Sequence, residues 1–196
     1  MMKPAKMIPL LLVTFLAAPV FAQSTATDVQ RDVNQQQRIE NGLKSGQLNT
    51  REAAKLEHEE AKVDRAEANA LKDGKLSATE KARIDKMQNK VSNDIHADKT
   101  NAQTGNPDSK SSKRMQADVQ RNVNQEQRIE AGVKNGSLTN HEVAKLERGQ
   151  ARVDTKEAVA GRDGHVSAAE QARVQRTENR QSRRIRREKH DDQHRG

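Results

Sequence analysis

The stretch Leu71-Lys72-Asp73-Gly74-Lys75-Leu76-Ser77-Ala78-Thr79-Glu80 decides the fold, because it joins a helix stop to a helix start across one glycine. It recurs as LKSGQLNTRE at Leu43 to Glu52, as VKNGSLTNHE at Val133 to Glu142 and as GRDGHVSAAE at Gly161 to Glu170. In each copy an aliphatic residue stands two positions after the glycine, a capping residue comes next, and a glutamate follows three positions on. Gly46, Gly74, Gly136 and Gly164 suit the left-handed conformation that ends a helix. Asn49, Ser77, Thr139 and Ser167 offer a side-chain oxygen to the first turn of the next helix, and Glu52, Glu80, Glu142 and Glu170 complete a capping box. Four helix-turn-helix joints follow, so the fold class is all-α.

Working outward, setting residue n against n+90 gives 36 identities in the 68 positions from Asp28 to Ile95. DVQRDVNQQQRIE at Asp28 to Glu40 returns as DVQRNVNQEQRIE at Asp118 to Glu130. The chain reads as a tandem duplication of a three-helix antiparallel unit, with repeats at 23–97 and 113–188, a polar linker at 98–112 and a histidine-containing tail at 189–196. Val29, Val33, Ile39 and Leu43 form the apolar stripe of the first helix. Ala53, Leu56, Val63 and Ala70 form that of the second, and Ile84, Met87, Val91 and Ile95 that of the third. The aliphatic supply of each repeat is thin, so a weakly packed protein completed by homo-oligomerisation or a partner is expected.

Residues 1–22 have the basic start, short apolar run and small-residue end of a signal peptide, with cleavage expected near Ala22 and a periplasmic or secreted product. The apolar run is too short for a stable membrane span. Cysteine is absent, so no disulfide supports the fold. Both phenylalanines lie before residue 23, and there is no tryptophan or tyrosine. Without aromatic platforms, nucleic acid is a disfavoured partner.

Charge is uneven. Residues 23–112 carry 15 basic and 15 acidic side chains, while 113–196 carry 19 and 13. The surplus gathers in the last helix, where Arg180, Arg183, Arg184, Arg186 and Arg187 could dock on a protein or an anionic envelope surface; a solvated helix face is the plainer reading. His190 and His194 stand four apart and could take Zn²⁺, Cu²⁺ or Ni²⁺, against the plainer reading of a polar tail. The glycine turns also match part of a calcium-binding loop through Asp73 and Glu80, and through Asp163 and Glu170. Ligands at the first and third loop positions are missing or reduced, and capping accounts for every matching residue.

No nucleophile motif or phosphate loop is present, and no close carboxylate pair stands out where burial would shift its pKa. The expectation is therefore a protein that is not an enzyme and requires no cofactor. The runs QRIENGLKSGQLNTREAAKLE at Gln37 to Glu57 and QRIEAGVKNGSLTNHEVAKLERGQARVD at Gln127 to Asp154 resemble a family of uncharacterised exported proteins of Gram-negative bacteria. A looser similarity, through Leu138-Thr139-Asn140-His141-Glu142, is to periplasmic stress chaperones of the Spy and CpxP type. A charged, aromatic-free helical scaffold with a thin core suits transient amphipathic contacts, so the expected role is binding, chaperone-like or envelope-stress protective. The alternative from the residues themselves is a protein that binds or senses divalent metal, whether Ca²⁺, Zn²⁺, Cu²⁺ or Ni²⁺.

Overall fold

The computed structural model describes residues 20–193, with side chains from 25 onward. The expected signal peptide therefore lies outside the described residues except for Val20 to Ala22, and so does His194. Six α-helices account for the architecture: α1 (Val20–Ser45), α2 (Thr50–Ala70), α3 (Ala78–Thr100), α4 (Lys110–Lys134), α5 (Asn140–Gly161) and α6 (Ala168–Glu188). A single 3₁₀ turn, Leu71–Asp73, follows α2. No strand occurs among the described residues, and none of their helices is long and apolar enough to cross a membrane.

All four joints form as their sequence requires. The four turn glycines have φ between 76° and 90°, where a β-carbon would clash. Asn49, Ser77, Thr139 and Ser167 each close a capping box with the glutamate three residues on. The stripe residues named above are buried, Met87 only in part.

The two repeats do not close separate bundles. The most extensive contacts cross between them, with α1 packed on α4 and α2 on α5. Hydrogen bonds fix the directions: Lys44 reaches Gln120 while Lys134 reaches Gln30, so α1 and α4 are antiparallel. Arg51 reaches the Asp163 carbonyl while Arg148 reaches that of Ala68, so α2 and α5 are antiparallel too. Helix α3 lies against α1 and α2, and α6 against α4 and α5. Both apolar clusters draw on both repeats. One gathers Ile39, Leu43, Leu48, Leu56, Met115, Val119 and Val166; the other Val29, Leu71, Leu76, Ile129, Val133, Leu138 and Leu146. Pooling in this way makes up for the thin core of each repeat.

Helix α6 shows how a polar side chain is seated in such a core. Gln181 stands where the first repeat has Val91, and its amide donates to the Leu146 carbonyl at 2.9 Å. Room comes from Gly149, since a β-carbon there would sit 1.8 Å from the Gln181 Oε1. Gly149→Ala should thus lower stability by about 1–3 kcal/mol, despite alanine's better helix propensity. Gly149→Ala with Gln181→Ala should recover most of the loss. Thermal melts followed by circular dichroism check both.

Candidate metal centre

Between the two apolar clusters the interior is acidic. On α2, Glu57, Glu60, Asp64 and Glu67 follow at steps of three, four and three, which places them along one helix face. That face meets α5, where the matching positions are Glu147, Gln150, Asp154 and Glu157. Because α2 and α5 are antiparallel, Glu57 meets the Asp-x-x-Glu pair of the other repeat, and Glu147 meets that of the first. Two groups result, Glu57 with Asp154 and Glu157, and Glu147 with Asp64 and Glu67. Within each group, one oxygen from every residue lies within 4.8 Å of the others.

Helices α1 and α4 line the two groups differently. Beside the Glu57 group, the Gln36 amide donates to the Glu57 Oε2 at 3.0 Å, and the Asn122 amide donates to Asp154 Oδ1 and Glu157 Oε2, each at 2.8 Å. Beside the Glu147 group stand Asp32 and Glu126. The Gln88 amide of α3 bridges the Asp32 Oδ1 at 2.8 Å and the Glu67 Oε1 at 3.1 Å. Asp64 and Asp154 lie close enough to act on each other's ionisation, which joins the two groups into one centre.

Nine carboxyl groups thus share this interior: Asp32, Glu57, Glu60, Asp64, Glu67, Glu126, Glu147, Asp154 and Glu157. None is more than 3% exposed, and among the described residues none pairs with a lysine or arginine. Both carboxylate oxygens of Glu147 and both of Glu60 accept no hydrogen bond, and neither does one oxygen each of Glu57, Asp64, Glu67 and Glu157. Burial raises every one of these acids. Asp32 and Asp154 are pushed up to about 7 and Glu57 to about 8. Glu60, Asp64, Glu67, Glu126, Glu147 and Glu157 rise well above their ordinary values, through burial first and the neighbouring carboxylates second. The expectation that no close carboxylate pair is buried is therefore corrected: the interior is built around such pairs.

The sequence-expected metal residues are placed elsewhere. Asp73 Oδ1 accepts from the Lys75 backbone, and Asp163 Oδ1 from that of His165. Glu80 and Glu170 hold the backbone N–H and hydroxyl of Ser77 and Ser167. These four do their work as turn and cap residues and enter none of the three-acid groups among the described residues. His190 is exposed at the end of α6, with Nδ1 2.7 Å from the Arg186 carbonyl. Arg180, Arg183, Arg186 and Arg187 are exposed on α6 and Arg184 is half-buried, so these five form a largely solvated basic surface. A third acidic group, Glu142, Glu188 and Asp191, is partly exposed, and its Glu142 is a helix cap.

Comparison with family models, with curated proteins and with solved structures finds no match.

Proposed function

We propose that this protein binds hard, oxygen-seeking divalent cations such as Ca²⁺, Mn²⁺ or Mg²⁺ in the carboxylate centre between its repeats. The observation that carries this reading is the pair of fully buried three-carboxylate groups with no basic partner and with oxygens left unbonded. An ionised carboxylate in a protein interior costs several kcal/mol unless a counter-charge meets it. A cation supplies that charge to three carboxylates at once. The donor set is oxygen only, without imidazole or thiolate, which suits hard cations over Zn²⁺ or Cu²⁺. Three carboxylates supply up to six oxygens, and Gln36 and Asn122 add a carbonyl oxygen each when the amide turns over.

The reading follows the metal-binding alternative but moves it from the tail and turns to the interior. A client-holding chaperone has less support, because Val159 is the exposed large hydrophobe among the described residues and no apolar stripe is offered to a client. An envelope location remains a proposal resting on residues 1–22, and docking through the α6 arginines is a separate proposal for the surface.

Isothermal calorimetry tests the cation reading. Ca²⁺ or Mn²⁺ should bind with micromolar or tighter affinity, and Glu57→Gln with Glu147→Gln should remove at least ~90% of that heat, since each substitution takes the lone glutamate from one group. Absence of heat from any hard cation, or undiminished heat in the double variant, would overturn it.

A further inference from the structure

The cap of α2 and the cap of α5 differ in what meets the second oxygen of the capping glutamate. In the first repeat, Glu52 Oε2 accepts from the Asn49 backbone, and Glu52 Oε1 accepts from the Asn101 amide Nδ2 at 2.9 Å. Asn101 is held in turn, its Oδ1 accepting from the Gln103 backbone at 2.7 Å. Asp98 beside it pairs with Lys55 at 3.1 Å. Both oxygens of Glu52 are thereby satisfied.

The matching residues of the second repeat are Glu142, Asp191, Gln193, Glu188 and Lys145. The turn after the last helix is the same, since Asp191 Oδ1 accepts from the Gln193 backbone at 3.0 Å. Glu142 Oε2 again caps, holding the backbone N–H and the hydroxyl of Thr139, each at 2.7 Å. With a carboxylate in place of the Asn101 amide, however, Glu142 Oε1 accepts nothing, although Glu142 is 0% exposed. One oxygen from each of Glu142, Glu188 and Asp191 lies within 4.8 Å of the others. The nearby basic groups meet Glu188 alone, Lys145 Nζ at 3.4 Å and Arg187 Nε at 3.8 Å. Lys189 is turned away to the Arg128 carbonyl at 2.9 Å. Among the described residues no lysine or arginine pairs with Glu142 or Asp191.

We propose that Glu142, Glu188 and Asp191 form a second cation site, open to solvent, at which Ca²⁺ fastens the segment after α6 to the start of α5. This site is independent of the interior centre. A buried carboxylate oxygen without a donor, with two further carboxylates beside it, carries both a desolvation cost and a repulsion. A divalent cation offsets both, as the Asn101 amide does by a hydrogen bond in the first repeat. Oxygen ligands with room for water suit Ca²⁺, and a site of this openness corresponds to a Kd of roughly 0.1–1 mM. It therefore fills after the interior.

Paramagnetic Mn²⁺, titrated into the isotope-labelled full chain, broadens the amide resonances nearest to it and so reports each site separately. Broadening is expected at residues 139–142 and 188–193, at higher Mn²⁺ than the interior requires, and excess Ca²⁺ should reverse it. Asp191→Asn copies the first repeat and supplies the donor that Glu142 lacks, so the variant should fold. It should weaken the site at least ~10-fold and leave the interior broadening unchanged. The reverse exchange, Asn101→Asp, should create a matching site with Glu52 and Asp98, seen as new broadening at residues 49–52 and 98–103. Broadening confined to the interior, or broadening at 188–193 that is unchanged in Asp191→Asn, would overturn this inference and leave the interior reading standing. Broadening at 139–142 and 188–193 alone would overturn the interior reading and support this one. Broadening at neither place would sink both.

Discussion

Metal-free protein is expected to melt at a lower temperature at pH 8 than at pH 5, and saturating Ca²⁺ is expected to reverse that order. The sign follows from the raised carboxyl groups. In the unfolded chain Asp and Glu titrate near pH 4, whereas Asp32 and Asp154 titrate at about 7 and Glu57 at about 8 in the folded protein. Between those limits the folded state binds more protons than the unfolded one, so stability falls as pH rises. The contribution is fully present below pH 4 and is lost by about pH 8. A raised carboxyl such as Asp154 accounts for on the order of 3–4 kcal/mol, and a loss of that size lowers the melting temperature by roughly 10 °C in a chain of this length. Calcium displaces the protons it competes with, so the loaded protein gains stability over the same interval. The capping glutamates Glu80 and Glu170 shift downward, by hydrogen bonds from their capping serines, and act in the opposite sense only below about pH 4.5. Melts at pH 5, 6, 7 and 8, with chelator and with Ca²⁺, read the effect. A metal-free protein that gains stability with rising pH would contradict it.

The second large effect separates stability from function in a single variant. Asp64→Asn with Asp154→Asn removes the carboxyl pair that joins the two halves, both members being buried and each acting on the other's ionisation. Amides keep the shape and can donate to the remaining carboxylates, so the metal-free variant should be more stable than the parent at pH 8 by roughly 3 kcal/mol or more. Ca²⁺ affinity should fall at least ~100-fold, because each three-carboxylate group loses one ligand. Denaturant unfolding at pH 8 measures the first and calorimetry the second. If these acids were only structural, the variant would lose stability and retain its calcium behaviour.

The cost of burying these acids without counter-charge is a reason to look for a ligand that meets them. An interior of Leu or Val at the same positions would be more stable than nine unpaired carboxylates. The amphipathic stripes around them suffice to close the bundle, and the four capped joints fix its turns. What the acids add is a cluster of oxygens held on two rigid antiparallel helices, positioned by side chains from α1 and α4.

The local plan was legible from residues alone. Glycine at φ near 80°, a Ser, Thr or Asn cap and a Glu three residues later leave little choice of conformation, and the stripe of Val29, Val33, Ile39 and Leu43 points one way along α1. The centre was not legible, because Glu57, Glu60, Asp64 and Glu67 look like the solvated face of α2 when each repeat is imagined closing on itself. Helix α2 in fact buries both faces, its apolar one and its acidic one, since α5 of the other repeat covers the latter. A signal was present: Glu57, Asp64 and Glu67 recur unchanged as Glu147, Asp154 and Glu157, whereas exposed neighbours such as His58 and Arg65 become Arg148 and Thr155. The exchange of Asp32 for Asn122, and of Gln36 for Glu126, acquires meaning only once antiparallel packing brings each of them to a different half.

Anomalous diffraction from crystals soaked in Mn²⁺ locates the ion without reference to affinity. The account predicts a strong peak in the interior, within bonding distance of Glu147, Asp64 and Glu67. Peaks confined to the surface, at the glycine turns or at the histidine tail, would contradict it.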